Sequence, residues 1–88
     1  PSRSPAATCN QITGMGVGTT SGTACNNAQM SPISIYSTNK TDLDNNGVYY
    51  SNSTCTKRIN NKYISDGDVY GDTNSSGVWQ VEGICDFW

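Results

Sequence analysis

The segment Asp42-Leu43-Asp44-Asn45-Asn46-Gly47 has the residue types and spacing of a binding site in this 88-residue chain. Its D-x-D-x-N-G order matches the start of a calcium-binding loop, in which alternating oxygen atoms converge on the ion and Gly permits the bend. The bidentate Glu that closes such a loop is absent, because Ser53 occupies the twelfth position. Turns also select Asn, Asp and Gly. We therefore expect a turn between strands, and keep calcium binding by Asp42, Asp44 and Asn46 as the less favoured alternative.

Catalytic residue types are scarce outside this segment. Asp66, Asp68 and Asp72 form a second acidic segment, from which a carboxylate pair for glycoside hydrolysis could be drawn. The chain has no histidine, so its serines and cysteines lack the usual base that activates them as nucleophiles. We predict that the protein is not an enzyme, with no catalytic residues and no cofactor.

Four cysteines, Cys9, Cys25, Cys55 and Cys85, are widely spaced along the chain. They include no C-x-x-C pair, and without histidine they do not match a tight zinc site. An even number of cysteines in a chain this short predicts two disulfides and an oxidising compartment, such as the cell exterior or a virion surface. Three pairings are possible, and loop-closure energies do not distinguish among them.

The composition argues against two classes of partner. Ser, Thr, Asn and Gly make up 40 of the 88 residues, while Lys and Arg number only five and the net charge is −2. Because binding to nucleic acid needs clustered Lys and Arg, we expect no nucleic-acid partner. No stretch approaches the roughly 20 apolar residues of a membrane span, and we expect no membrane insertion.

Two parts with different patterns must position these residues. In residues 1–22, glycines alternate with Met15 and Val17 over positions 14–18, and we interpret this part as an extended Gly-rich arm. Such an alternation is compatible with a flexible linker or with a strand packed tightly against another backbone. Residues 23–88 show short β-branched and aromatic runs separated by turn residues. This pattern predicts a small all-β domain, an antiparallel sandwich or open barrel stapled by disulfides, with no helix of useful length.

The predicted strands are Ile33–Ser37, Gly47–Ser51, Lys62–Ser65, Asp68–Tyr70, Val78–Val81 and a terminal Ile84–Trp88. Side chains alternate along a strand, which places two same-face pairs in the core, Ile33 with Ile35 and Trp79 with Val81. Asp66-Gly67 matches a two-residue hairpin turn, in which Gly accepts a positive φ.

Aromatic side chains are the candidates for contact with a partner, because planar rings among Asn, Ser and Thr are typical of protein and sugar contact surfaces. Tyr49 and Tyr50 are expected on opposite strand faces, so at least one of them should face solvent or an interface. The alternative for any single tyrosine is that it covers a thin core. The candidate contact residues are Tyr36, Tyr49, Tyr50, Tyr70, Phe87 and Trp88, with Met15 and Val17 of the arm.

Three N-x-S/T sequons begin at Asn39, Asn52 and Asn74. In a eukaryotic secreted protein they would predict N-glycans on loops. A chain so rich in Asn, Ser and Thr also contains sequons by chance, so they do not identify the source.

The runs SGTACNNA, IYSTNKTDLDNNGVYYSNSTCT and KYISDGDVYGDTNSSGVWQVEGIC, over about residues 22–85, carry a family resemblance. They resemble small cysteine-bracketed β modules of Bacteroidota surface proteins and of their phage structural proteins, such as tail and fibre proteins. The resemblance implies an extracellular or virion-surface β domain with a structural or adhesive role and no catalytic residues. It also implies that Cys25 pairs with Cys85, which leaves Cys9 to pair with Cys55.

Three functions are consistent with these features. The preferred one is a non-enzymatic structural or adhesive module of a fibre, tail or surface assembly, whose partners are copies of itself or a larger assembly. The Gly-rich arm would join a neighbouring copy by adding a strand to its sheet. The alternatives are a domain that binds a receptor or a glycan, and a small secreted, disulfide-bonded toxin or effector.

Overall fold

Six strands hydrogen-bond edge to edge until the sheet closes on itself. The computed structural model describes residues 9–85, and the structural statements below refer to that part. Every neighbouring pair is antiparallel, and the strands follow the order β1-β2-β3-β6-β5-β4 around a closed barrel. The elements are β1 Asn10–Gly18, α1 Ser21–Met30, β2 Ile33–Ser37, β3 Gly47–Tyr50, β4 Tyr63–Ser65, β5 Val69–Thr73 and β6 Val78–Ile84. The predicted disulfide-stapled antiparallel β domain is confirmed, in the form of a closed barrel.

Strand β1 closes the barrel because it pairs along both of its edges. Asn10–Ile12 and Met15 pair with β2, and Gly16–Gly18 pair with β4. Within the part that pairs with β2, the strand is irregular between Ile12 and Met15, where Gly14 has a φ of 77°. An irregularity of this kind bends a strand, so that one long strand can lie beside two partners.

This arrangement corrects the prediction that residues 1–22 form an extended arm. Residues 10–18 are a strand of the barrel, and Met15 is buried in the core. Val17 is half-buried and packs against the same core. The Gly-rich alternation therefore has the second of its two meanings, a strand packed tightly against another backbone. Residues 1–8 of the predicted arm lie outside the described residues.

The backbone that packs on β1 belongs to helix α1, and the prediction that no useful helix forms is wrong. Thr20 caps the helix N-terminus, since its hydroxyl oxygen accepts a hydrogen bond from the Thr23 N–H. The buried side chains of the helix are all small, namely Ala24, Cys25 and Ala28. The helix lacks the aliphatic stripe by which amphipathic helices are recognised, because so close a contact leaves no room for larger side chains.

Glycines of β1 allow the helix to lie directly on the sheet. A Cβ atom at Gly16 would overlap the Ala24 carbonyl oxygen and the Ala28 nitrogen. A Cβ atom at Gly18 would lie 2.7 Å from a methyl carbon of Thr23. Only glycine therefore fits at these two positions of β1 while α1 lies where it does.

Aliphatic and aromatic side chains fill the inside of the barrel. Trp79 is 1% exposed and donates its indole N–H to the Ile64 carbonyl, 3.1 Å away. No buried side-chain nitrogen or oxygen of the described residues lacks a hydrogen-bond partner. The buried members of the core are Ile12, Met15, Ile35, Tyr49, Ile59, Ile64 and Trp79.

Two of the four predicted core residues, Ile35 and Trp79, are buried, but Ile33 and Val81 are 52% and 45% exposed. Alternation is unbroken within each pair, because the extra residues of the two bulges lie in β1 and at Glu82, after Val81. Ile33 and Val81 therefore share a strand face with Ile35 and Trp79, as predicted, but that face is buried along only part of each strand. A period-2 pattern predicts the face of a side chain and not how far along the strand that face is covered.

The strand boundaries follow the prediction for β2 and differ by one residue at one end of β3 and of β4. Strands β5 and β6 continue beyond the predicted ends because they pair with each other as far as Thr73 and Ile84. The predicted Asp66-Gly67 turn is a longer loop that also contains Asp68. Asp66 Oδ1 accepts hydrogen bonds from two backbone N–H groups of this hairpin, those of Asp68 and Val69.

Two disulfides brace the barrel, Cys9–Cys55 and Cys25–Cys85. The first ties the start of β1 to the loop after β3, and the second ties α1 to the residue that follows β6. This is the pairing that the resemblance implied. Two disulfides in so small a domain indicate an oxidising compartment outside the cytoplasm.

Candidate functional site

A cleft opens on the outside of the barrel, between the first turns of α1 and the end of β6. Its volume is about 400 Å³, within the range of sites that hold a small ligand. The Cys25–Cys85 disulfide joins the two walls and holds them together. The cleft is lined by Ser21, Gly22, Cys25, Asn26, Tyr70, Ile84 and Cys85.

Tyr70 forms the β5 wall of the cleft, and Gly83 determines where its ring lies. The two residues are directly opposite each other in the β5–β6 pair. A Cβ atom at Gly83 would lie 2.7 Å from the Tyr70 hydroxyl oxygen and 2.9 Å from its Cζ atom. The ring therefore lies across the backbone at Gly83, where it remains half-buried.

Tyr63 extends this aromatic surface from β5 to β4. Its ring centroid lies 6.3 Å from that of Tyr70, and the two ring planes are tilted by 58°. Asp72 is directly opposite Tyr63 in the β4–β5 pair, and its carboxyl group is close enough to that of Glu82 on β6 to raise the Glu82 pKa. We refer to Tyr63, Tyr70, Asp72 and Glu82 as the tyrosine–carboxylate patch.

The two carboxyl groups of the patch perturb each other and their neighbour. The hydrogen bond with Asp72 raises the pKa of Glu82 above its ordinary value, and desolvation and the negative charge of Asp72 act in the same direction. The charge of Glu82 is in turn the largest cause of the raised pKa of Tyr63. Two acidic groups thus lie next to each other on the surface. Neither forms an ion pair within residues 9–85, where the ion pair joins Lys40 to Asp44 at 3.7 Å.

The carboxyl pair of the patch differs in spacing from the catalytic pair of glycoside hydrolases. In those enzymes the two carboxyl groups are separated by about 5 to 9.5 Å, which leaves room for the sugar or for a water molecule. Asp72 and Glu82 instead interact directly, since Asp72 is the first cause of the raised pKa of Glu82. Their arrangement is better suited to attracting a cation than to cleaving a glycosidic bond.

Charge is unevenly divided along the chain. Residues 62–85, which supply β4 to β6, carry one basic residue, Lys62, and four acidic ones, Asp66, Asp68, Asp72 and Glu82. Residues 9–61 carry more basic than acidic residues, namely Lys40, Lys57 and Arg58 against Asp42 and Asp44. Helix α1 carries no charged residue. The strand wall of the cleft therefore belongs to the acidic part of the described residues, and the helix wall is uncharged.

Ile84 adds an apolar contact point at the rim of the cleft. Its side chain is 72% exposed, next to the half-buried ring of Tyr70. An exposed aliphatic side chain beside an aromatic ring and a cleft is typical of a contact surface. The other exposed large apolar residues of the described part, Met30, Ile33 and Val81, do not line the cleft.

Of the tyrosines predicted as contact residues, Tyr70 lines the cleft. Tyr49 and Tyr50 are 0% and 8% exposed, so the prediction that one of them faces solvent or a partner is wrong. Tyr49 belongs to the core, whereas Tyr50 is buried outside it, where Arg58 returns to pair with its backbone. Tyr36 is half-buried opposite Tyr50. The remaining two aromatic candidates, Phe87 and Trp88, lie outside the described residues.

The predicted calcium segment forms the turn between β2 and β3. Asp42 and Asp44 each accept a hydrogen bond from the N–H of the next residue. Asn46 accepts one from the Gln80 side chain, 2.7 Å away. No group of three His, Cys, Asp or Glu residues suited to a metal ion occurs within residues 9–85. The oxygen atoms considered as calcium ligands therefore stabilise the turn and its contact with β6.

The sequon asparagines stabilise their own loops. The side-chain oxygen atoms of Asn39, Asn52 and Asn74 all accept hydrogen bonds from nearby backbone N–H groups. The side-chain amides of Asn39 and Asn52 also donate, to the Asn46 carbonyl and to hydroxyl groups of the loop after β3. Glycosylation at these positions stays a prediction.

Sequence reasoning missed most residues of the cleft and the patch. Ser21, Gly22 and Asn26 lie on the helix that was not predicted. Tyr63 and Glu82 have no local motif that marks them. The useful signal was the pairing of Cys25 with Cys85, because a disulfide brings the chain around each cysteine into contact with the other.

No protein-family model, curated protein or solved structure matches this chain. The resemblance to Bacteroidota and phage modules therefore stays a prediction. Within residues 9–85, no helix has the length and apolar character needed to cross a membrane.

Proposed function

We propose that this chain is a non-enzymatic extracellular binding domain that contacts a receptor or a glycan through its cleft. The observation that carries the proposal is the cleft itself, about 400 Å³ in volume, with the Tyr70 ring on one wall and Ile84 on its rim. Concave sites that combine apolar side chains with a few polar groups are the usual form of a binding site. Here the polar groups include Ser21 and Asn26 of α1.

The cleft is built on rigid elements, which supports a binding role. Its walls are a helix and two paired strands, and the Cys25–Cys85 disulfide joins them. A site held in place before the ligand arrives loses less conformational entropy on binding. The disulfides also support a position outside the cytoplasm, where a cell or virion surface would present the domain.

Binding through the cleft replaces strand addition as the preferred mechanism of adhesion. Strand addition needs an unpaired strand edge, and β1 pairs with β2 and β4 along its two edges. A closed barrel offers no edge strand to a neighbouring copy. The structural or adhesive hypothesis therefore lacks its proposed mechanism within the described residues.

The proposal is tested by binding of the fluorescently labelled protein to a panel of cultured cells and to a glycan array. Ile84→Ser removes the apolar rim of the cleft, and Ile33→Ser is the matched control, since Ile33 is 52% exposed and does not line the cleft. We expect Ile84→Ser to weaken binding by about tenfold, because it removes a large apolar contact, and Ile33→Ser to leave it unchanged. Equal effects of the two variants would contradict a role for the cleft.

A further inference from the structure

The chemistry around the cleft restricts what it can bind. Tyr70 lines the cleft and also belongs to the tyrosine–carboxylate patch, so the two surfaces are continuous. Asp72 lies opposite Tyr63 in the β4–β5 pair, and Glu82 immediately precedes Gly83, which lies opposite Tyr70. The strand register therefore places two acidic residues beside the two neighbouring tyrosine rings. Carboxylates attract cations directly, and the faces of aromatic rings attract them through their negative electrostatic potential.

The carboxyl groups of the patch have no basic partner among residues 9–85, where the ion pair joins Lys40 to Asp44. Lys62 is the basic residue of the segment 62–85, which also carries four acidic residues. When both are ionised, two carboxylates so close together repel each other in the free protein, and a bound cation would relieve that repulsion. The geometry of the patch is therefore complementary to a positive charge.

We propose that the cleft docks a basic peptide segment of a partner protein, with a Lys or Arg side chain lying along Tyr70 and its charge beside Asp72 and Glu82. This inference rests on the proposed binding function and specifies the chemistry of the ligand. Lys and Arg combine a positive head with an apolar stem, and the stem would contact Ile84 and the Tyr70 ring.

Two other occupants fit the surface less well. Sulfated or sialylated glycans are anionic and would be repelled by Asp72 and Glu82. A free polyamine would satisfy the carboxylates, but as a small ligand it would leave much of the 72% exposed Ile84 side chain uncovered. A peptide supplies the positive charge and apolar contact area together, so the peptide is the occupant that the surface favours.

The test uses a fluorescein-labelled peptide of four Lys-Gly repeats, with Glu-Gly and Ser-Gly peptides of the same length as controls. Binding to the intact chain is measured by fluorescence anisotropy at low and at physiological salt. We expect the Lys-Gly peptide to bind and both controls to fail. In two-dimensional ¹H–¹⁵N NMR spectra, addition of the peptide should shift the backbone amide signals of Ser21, Tyr70 and Ile84.

Two double variants with equal changes of charge test whether the patch provides the binding energy. Asp72→Asn with Glu82→Gln should raise the Kd of the Lys-Gly peptide about tenfold, the sum of two modest charge contacts. Asp42→Asn with Asp44→Asn also removes two negative charges, from the β2–β3 turn, and should leave the Kd within about twofold. Equal effects of the two double variants would show attraction to net charge alone and overturn the proposal.

The remaining outcomes separate this inference from the proposed function. Failure of the Lys-Gly peptide to bind overturns the inference, whereas the proposed function stands if cell or glycan binding still depends on Ile84. Spermine binding as tightly as the peptide would identify a free amine as the ligand and overturn the peptide assignment. Circular dichroism of each variant checks that the barrel is folded, and removal of the carboxylate repulsion makes loss of folding an unexpected result.

Discussion

Single residues illustrate how this small domain uses polar groups to stabilise its loops. Tyr49 is fully buried, yet its hydroxyl group reaches the β2–β3 turn. It donates to the Asp42 carbonyl at 2.6 Å and accepts from the Asp44 N–H at 2.8 Å. Burial is the largest cause that raises the pKa of Tyr49 to about 12, so the neutral hydroxyl persists well into the alkaline range. One side chain therefore serves both the core and the turn.

Removal of this hydroxyl group should destabilise the protein although the ring stays in place. Tyr49→Phe leaves the Asp42 carbonyl and the Asp44 N–H without their partner, and we expect a loss of about 1–2 kcal/mol in the free energy of unfolding. Urea titration followed by tryptophan fluorescence measures the change. Tyr36→Phe is the control, because Tyr36 is half-buried and its hydroxyl makes no hydrogen bond with other described residues. A loss for Tyr36→Phe as large as that for Tyr49→Phe would contradict this account.

At the scale of elements, the contact between α1 and β1 organises the side of the barrel that carries the cleft. The helix approaches the strand so closely that Gly16 has no room for a side chain. Small residues of α1, Ala24 and Ala28, meet it from the other side. The position of α1 then determines where Ser21 and Asn26 meet Tyr70, so the packing of two elements shapes the cleft.

Substitution of Gly16 by Ala should therefore displace the helix. The added methyl group would overlap backbone atoms of Ala24 and Ala28, which cannot rotate away, and we expect a loss of roughly 1–3 kcal/mol or more in stability. Gly22→Ala is the matched control in the helix, where a Cβ atom meets nothing within 4 Å. That substitution should stabilise the protein by about 0.5–1 kcal/mol, through the higher helix propensity of Ala. Thermal unfolding of both variants measures the difference, and a neutral Gly16→Ala variant would argue against the observed packing.

At the scale of the whole molecule, two long-range disulfides brace different parts of one barrel. Cys9–Cys55 spans 46 residues and Cys25–Cys85 spans 60, so each constrains most of the unfolded chain. The loop-entropy model assigns about 4 kcal/mol to a loop of either length. The two bonds should therefore contribute similarly to global stability, and differ in the region that each one orders.

Hydrogen exchange should distinguish the effect of removing one disulfide from the effect of removing the other. Cys25→Ser with Cys85→Ser should speed exchange of α1 amides by at least about tenfold, since the helix loses its covalent attachment to the end of β6. Cys9→Ser with Cys55→Ser should instead speed exchange in the segment 51–58. Mass spectrometry of deuterated peptides measures both patterns. The same pattern in both double variants would contradict separate roles for the two bonds.

The sequence alone determined the class of this protein, because the signals for that class are local. Short β-branched and aromatic runs between Asn, Asp and Gly predicted the strands, and β2 has the predicted boundaries. An even number of cysteines without histidine predicted disulfides and an oxidising compartment. The acidic turn at Asp42 was likewise recognisable from its own residues.

Only the tertiary structure decided how these parts meet. A glycine such as Gly16 is compatible both with a flexible arm and with a strand beneath a helix. Which of the two forms is decided by the contact of Gly16 with the backbone of Ala24 and Ala28 in α1. The burial of Tyr50 likewise depends on the tertiary arrangement, where the later residue Arg58 returns to pair with it. The cleft and the patch join residues from α1, β4, β5 and β6, whose proximity is set by barrel closure and the Cys25–Cys85 bond. Local propensity carries no information about such distant encounters, because closure of the barrel and of its disulfides depends on the whole chain at once.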